Sequence, residues 1–194
     1  HFEYDATGNV TKVISPNGET ASFAYDAAGL PIGLTDALGR NYGTTYDDAG
    51  YLTATSGPYG AHTTVGRDWA GRPTRTVDAL GAITLLGYDD EGNLETVTDA
   101  LGHISRFTYD SMGNVESTTD PLGQVTEFEY DGLGRVTKRT APGGAVTTYE
   151  YDAAGQLVKV TDPVGAETSM EYDGAGNLTV VTDAKGGTVQ VEYD

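Results

Sequence analysis

The residues of this chain best placed to do chemistry are aspartates that return at a fixed interval. They stand at positions 5, 26, 47, 68, 89, 110, 131, 152, 173 and 194, each 21 residues after the last. Rows of acid at regular spacing suggest calcium. Calcium, however, needs about six or more oxygens converging on one point, and each position supplies one carboxylate inside an Asp-x-x-Gly sequence. Asp in that context is already accounted for, because it accepts hydrogen bonds from the backbone of its own turn. The Gly-Gly-x-Gly-x-Asp nonapeptide of calcium-binding β-rolls is absent. Structural turns are the better reading, and no metal site is expected.

A tyrosine precedes the aspartate in every copy but one, where Arg67-Asp68 keeps the register. Tyrosines at this spacing, with Tyr42, Tyr51, Tyr59 and Trp69 as extras, could form a ladder that binds carbohydrate or peptide. Packing on a buried face accounts for the recurring tyrosines more simply. Trp69 differs, since it lies inside a turn and is a plausible contact point for a partner. His1, His62 and His103 fall in different slots of the repeat and form neither a metal motif nor a relay. Serines and threonines are abundant as strand formers, and none sits beside a plausible base in a motif. We therefore expect no enzyme here: no catalytic residue, no cofactor-binding residue, no metal ligand and no cofactor.

The elements behind these positions follow from the repeat. An unbroken 21-residue period copied about nine times over residues 1–194 defines a single array. A unit this short cannot bury a core alone and must borrow its neighbours. The best-formed copy, Tyr151 to Glu171, contains two turn sequences, Asp152-Ala153-Ala154-Gly155 and Asp162-Pro163-Val164-Gly165. Both fit a type I turn closed by a left-handed glycine, a common hairpin connection. The glycines at 8, 29, 50, 71, 92, 113, 134, 155 and 176, and at 18, 39, 60, 81, 102, 123, 144, 165 and 186, hold in every copy. A position held to glycine throughout predicts positive φ.

Between the turns lie two stretches of β character. Thr126, Phe128 and Tyr130 alternate with Glu127 and Glu129, the pattern of a half-buried strand. In the other stretch Leu157 and Val160, Leu94 and Val97, and Leu178 and Val181 stand three apart, which breaks the period of two. A bulge just after the first turn reconciles the two patterns. The fold class is thus all-β, with about eighteen strands in an antiparallel hairpin meander. Open sheets rarely exceed ~10 strands without curling, so a spiral shell or tube is expected. A two-sheet β-solenoid linked by the same turns is the alternative.

Bulk properties set limits on partners. The net charge of -18 disfavours nucleic acid and anionic membranes, and no apolar stretch is long enough to span a bilayer. Absence of cysteine excludes a disulfide framework and thiolate catalysis. Both ends fall on the repeat frame, as expected of a segment from a longer repeat protein.

The pattern Tyr-Asp-x-x-Gly-Asn/Arg/Gln-Leu/Val, then Thr-Asp-Pro/Ala-x-Gly, then Thr-x-x-x-Tyr-Asp resembles the YD repeat of Rhs-type proteins. It is clearest in Tyr109 to Tyr130, YDSMGNVESTTDPLGQVTEFEY, and spans the whole chain. The family includes bacterial Rhs polymorphic toxins, shell-forming components of insecticidal toxin complexes, Gram-positive wall-associated proteins and animal teneurins. The resemblance implies a long antiparallel sheet that spirals into a hollow cocoon around a C-terminal toxin or cargo domain. It implies a bacterial protein, extracellular or at the cell surface, whose immediate partners are further repeats of the same polypeptide. An extracellular filament or adhesin built from the same units is the second expectation. The family's self-cleaving C-terminal core motif is not found in these residues. Asp120 and Asp162, in Asp-Pro-x-Gly turns, are therefore assigned no catalysis.

Overall fold

The computed structural model describes residues 1–193; the last aspartate of the row, Asp194, lies outside the described residues. The chain is all-β, with 19 strands among the described residues. It divides into two units, one of His1–Gly87 with Thr96–His103, the other of Tyr88–Glu95 with the residues from Ile104 onward. In the first unit lie β1 (Phe2–Tyr4), β2 (Val10–Ile14), β3 (Thr20–Tyr25) and β4 (Pro31–Thr35). They are followed by β5 (Asn41–Tyr46), β6 (Leu52–Ser56), β7 (His62–Arg67) and β8 (Pro73–Val77). Strands β9 (Ile83–Tyr88) and β10 (Leu94–Thr98) are shared between the units. The second unit continues with β11 (Ile104–Tyr109), β12 (Val115–Thr119), β13 (Val125–Tyr130) and β14 (Val136–Thr140). It ends with β15 (Val146–Tyr151), β16 (Leu157–Thr161), β17 (Glu167–Tyr172), β18 (Leu178–Thr182) and β19 (Thr188–Gln190).

Within each unit the strands pair antiparallel with their chain neighbours, as in β1 with β2, β2 with β3, β15 with β16 and β16 with β17. This is the hairpin meander, and the parallel stacks of a solenoid do not occur among the described pairs. The two hairpins of each repeat differ. Across the first turn Glu150 pairs with Lys159 and Tyr151 with Leu157, so Val158 is left without a partner. That is the bulge required by the three-residue spacing of Leu157 and Val160, and it recurs at β13–β14 and β17–β18. Across the second turn the ladder is regular but short, and it stops at Lys159 opposite Ser169.

Because directly opposed residues share a face, the register sorts the side chains. One face carries Phe128, Tyr130 and Val136, then Tyr149, Tyr151, Leu157 and Val160, then Met170, Tyr172, Leu178 and Val181. The corresponding positions of the first unit include Phe23, Tyr25, Leu34, Tyr42, Tyr46 and Leu52. No Asp or Glu occupies this face in either set. The opposite face takes the strand glutamates and their lysines. None of the described residues is fully buried, so the aromatic face is half-covered by its own neighbours and has no second layer.

The turns are built as the repeat predicts. In the Asp162 turn the Gly165 amide donates to the Asp162 carbonyl at 3.0 Å and the Asp162 amide to the Ala166 carbonyl at 2.9 Å. Every glycine of the two rows has positive φ. Two second turns depart from type I. Gly57 and Ala141 stand where the others have Asp or Ser, and their third residues, Tyr59 and Gly143, take φ of 64° and 86°. Positive φ there is the mark of a type II turn, which a proline at the second position also favours, and Pro58 and Pro142 occupy that position. Proline alone does not select it. The Asp120 and Asp162 turns also carry Pro, yet Leu122 and Val164 keep negative φ, and their amides donate to the aspartate side chain at 2.9 Å. The two turns that switch are those whose first residue, Gly57 or Ala141, has no side-chain oxygen; Ser15-Pro16-Asn17-Gly18, with a hydroxyl and no carboxylate, keeps Asn17 out of positive φ.

At Gly165 an added Cβ would meet nothing within 4 Å, but φ is +82°. Gly165→Val thus tests conformation without a clash. It should destabilise the array by about 1–3 kcal/mol in chemical denaturation, and a parent-like midpoint would refute the turn assignment.

Candidate functional site

The recurring Tyr-Asp pair has two separate tasks. The aspartate acts inside its own turn: Asp110 Oδ1 accepts the amides of Met112 and Asn114 at 2.8 and 2.9 Å. Its Oδ2 accepts the Asn114 side chain at 2.9 Å. The same second oxygen takes Asn9 at Asp5, Arg72 at Asp68, Arg135 at Asp131 and Asn177 at Asp173. Each of these carboxyls is held below its ordinary range. The Thr7 and Asn9 side chains lower Asp5 to about 2, the Asn114 side chain lowers Asp110, and the Arg135 guanidinium lowers Asp131. With both oxygens committed, these aspartates do not converge on a common point. Among the described residues no group of three or more His, Asp or Glu is placed to hold a metal ion.

The tyrosine reaches out of its repeat. The hydroxyl of Tyr151 donates to the Val136 carbonyl at 3.0 Å, fifteen residues earlier. Tyr25 reaches Val10, Tyr46 reaches Pro31, Tyr109 reaches Leu94, Tyr130 reaches Val115 and Tyr172 reaches Leu157, all at 2.8–3.0 Å. The accepting residue is always the one beside the bulge, where the ladder to the next strand has ended. A carbonyl without a strand partner needs another donor, and the phenol supplies it. Arg67, where the tyrosine is missing, extends Nη2 to Leu52 O at 3.4 Å, the equivalent carbonyl, and Nη1 to Gly71 O at 2.9 Å. Its guanidinium lies 5.2 Å from the Tyr51 ring centroid. The exception in the sequence thus keeps the function of the slot.

The other sequence candidates are dispersed. Tyr42 shares the aromatic face with Leu34, whereas Tyr51 packs over Gly71 at the edge formed by the first turns. Trp69 is 96% exposed at that same edge, and Tyr59, also 96% exposed, is on the edge of the second turns. The four extras therefore do not extend a single ladder. His103 Nδ1 lies 2.9 Å from Asp99 Oδ2, in the slot that other turns fill with Asn or Arg. His62 opposes Ser56 across β6–β7, and the amino group of His1 donates to Ile14 O. The structure brings no two histidines together. Asp120 and Asp162 hold their turns like the rest, accepting Gln124 and Ala166 amides at 2.9 and 2.8 Å.

Sequence reasoning missed the staple and the pairing on the polar face. There Lys138 meets Glu129 at 2.7 Å and Lys159 meets Glu150 at 2.6 Å. The same cross-strand site holds Thr108 and Ser117, hydroxyl to hydroxyl at 2.8 Å, and Ala24 opposite Gly33. The matching does not hold in every copy, since Glu171 faces Val180 and Gly66 faces Arg75. The bulge register, once inferred, would have exposed this matching in the sequence.

The architecture is that of an all-β tandem-repeat protein whose units are joined by side chain to main chain. The RHS Repeat family matches residues 4–40, 25–64, 67–104, 88–125, 109–146, 130–167 and 151–188, and the chain belongs to that family. No curated protein matches it in sequence. Among solved structures it is similar to TcdB2-TccC3, at 18% identity and a TM-score of 0.58. It is also similar to the Tc holotoxin pore of Photorhabdus luminescens, at 19% identity and a TM-score of 0.56. In both cases the match covers 94% of this chain and 12% of the other. The likeness is therefore one of fold, over about one-eighth of a much longer polypeptide.

Two outcomes check the division of labour. Tyr151→Phe leaves the Val136 carbonyl without its donor and should cost about 0.5–1.5 kcal/mol in denaturation, while Arg67→Tyr should be tolerated. Equal effects from both would contradict the staple. The second concerns acid. A carboxyl lowered from 3.8 to about 2, as at Asp5, adds stability that is complete above its unfolded value and fades as pH falls through the folded one. The melting temperature should hold down to about pH 4 and drop toward pH 2; a profile flat across that window would contradict it.

Proposed function

We propose that this chain is a stretch of β wall in a large Rhs-like protein outside the bacterial cell, enclosing a C-terminal toxin or other cargo domain. The observation that carries this reading is the two-faced sheet. One face is rich in aromatic and aliphatic side chains, interspersed with threonines and Arg139, and free of acid through the described strands, and the other bears Glu–Lys pairs such as Glu129–Lys138 and Glu150–Lys159. Exposed apolar surface on this scale needs cover, and a sheet that closes on itself supplies it, with the charged face outward. The TcdB2-TccC3 and Tc holotoxin structures, which share the fold over 94% of this chain, support placing such a wall in a toxin assembly. The net charge of -18 suits an external location and argues against nucleic acid as the partner. The nearest partners are further repeats of the same polypeptide, and the segment itself performs no catalysis.

A filament is the second reading, favoured by the period of 21 residues that runs without insertion. A shell must change curvature and cap, which uneven units do more readily than identical ones. Electron microscopy of the full-length protein separates the two. Closed hollow particles with protease-resistant internal density are the expected result, and long filaments of constant width would overturn the enclosing wall.

A further inference from the structure

One asparagine of the chain is set unlike the rest. Asn9, Asn93, Asn114 and Asn177 each give the side-chain amide to the aspartate that opens their turn, at 2.9–3.0 Å. A Val or Leu follows each of them. Asn41 accepts the Thr35 hydroxyl at 2.7 Å and precedes Tyr42. Asn17 alone is followed by glycine, as the third residue of the turn Ser15-Pro16-Asn17-Gly18. Asn17 and Gly18 are both exposed, and a Cβ added at Gly18 would meet nothing within 4 Å. The Gly18 nitrogen thus has no side chain crowding it.

The turn also lacks the aspartate that braces its neighbours. In the next second turn, Asp36 Oδ1 accepts the amides of Leu38 and Arg40, both at 2.9 Å. Ser15 has no carboxylate, and its hydroxyl lies instead against Asn17 Oδ1 and the Glu19 carbonyl. Two backbone bonds close the turn, from the Gly18 amide to the Ser15 carbonyl at 3.0 Å and from the Ser15 amide to the Glu19 carbonyl at 2.9 Å. Exposed backbone bonds of this kind open locally at small cost. Breaking the first frees the Gly18 nitrogen, while the Ser15 hydroxyl polarises the carbonyl of the Asn17 side chain.

We propose that Asn17 is a site of self-modification, at which the Gly18 nitrogen closes a succinimide ring on the Asn17 side chain. Asparagine is a thermolabile residue, and this is its route of loss. The Gly18 amide gives its proton to solvent base, and the nitrogen attacks Asn17 Cγ. The Cγ–Nδ2 bond breaks, and Nδ2 leaves as ammonia with a proton taken from solvent. Water then opens the ring. Attack at Cγ yields an ordinary aspartyl residue, whereas attack at the main-chain carbonyl yields an isoaspartyl residue whose backbone runs through the side chain. Either product adds one negative charge close to Glu19. The isoaspartyl form also adds a carbon to the backbone of a turn that sets Lys12 opposite Ser22 and Ile14 opposite Thr20. Asp131-Gly132 and Asp173-Gly174 have the sequence for the same ring closure, and the structure suppresses it. Each carboxylate accepts two turn amides and a side-chain donor. Those donors, Arg135 and Asn177, hold both carboxyls below their ordinary range, and an ionised carboxylate has no leaving group to lose. The modification does not depend on what the wall encloses.

The test is incubation of the folded protein in water enriched in heavy oxygen, at neutral and mildly alkaline pH, followed by tryptic mass spectrometry. Asn17 falls in the peptide from Val13 to Arg40, which has no other asparagine. The expected result is conversion at Asn17 over days, faster at the higher pH, with heavy oxygen incorporated and isoaspartyl product exceeding aspartyl. Asp131 and Asp173 should form no isoaspartate while the protein is folded, and should form it when the chain is held unfolded in urea. Ser15→Asp supplies the carboxylate that other turns have. It should slow conversion several-fold in the folded protein and leave the rate in the unfolded chain unchanged. An Asn17 that stays intact when folded, or an aspartyl product alone, would overturn the proposal. So would a Ser15→Asp variant that converts at the parent rate when folded, or that is slowed equally in both states.

Discussion

A single unpaired carbonyl per repeat governs this structure. After each first turn comes a bulge, the ladder to the next strand stops short of it, and the residue beside it, Val136 or Leu157, offers its carbonyl beyond that ladder's end. An unsatisfied backbone group costs about as much as a lost hydrogen bond. The phenol of the following repeat closes that gap, at Tyr151 and Tyr172 respectively. The bond runs from one repeat to the next, so the defect inside each unit becomes the link between units. This explains why the tyrosine is fixed in register, and why its one replacement is a long side chain with several donors, Arg67.

The aspartate beside it works on the opposite scale. Its carboxylate reads only the next four residues, taking amides of its own turn, as Asp110 takes those of Met112 and Asn114. In the second turns, away from the tyrosine, Asp162 holds its turn in the same way, and where Gly57 or Ala141 stands instead the third residue is at positive φ. Local turn and long-range staple are thus encoded in adjacent residues. A repeat protein without a central core needs both: intrinsic order within a unit, and a term coupling it to its neighbour. The salt bridges on the polar face are exposed and add little by comparison.

Much of the fold was legible from the sequence because the repeat acts as its own alignment. The glycines of both turns, the strand alternation around Phe128 and Tyr130, and the bulge implied by Leu157 and Val160 all reappear in the structure. The tyrosine staple was not legible. Its acceptor is a backbone carbonyl, which leaves no residue type to recognise, and only the shape of the bulge shows that the carbonyl is unpaired. The scatter of Tyr42, Tyr51, Tyr59 and Trp69 was hidden for a related reason. A residue in a turn and one in a strand look equally aromatic in sequence, but they project from an edge and from a face.

The central claim, that tyrosine joins repeats while aspartate orders them, is tested most directly by native-state hydrogen exchange on Tyr151→Phe. The account predicts lost protection confined to the junction of β14 with β15, while the amides of Gly155 and Gln156 in the adjacent turn, bonded to Asp152, stay as protected as in the parent. Uniform loss across the chain, or loss centred on the Asp152 turn, would contradict it.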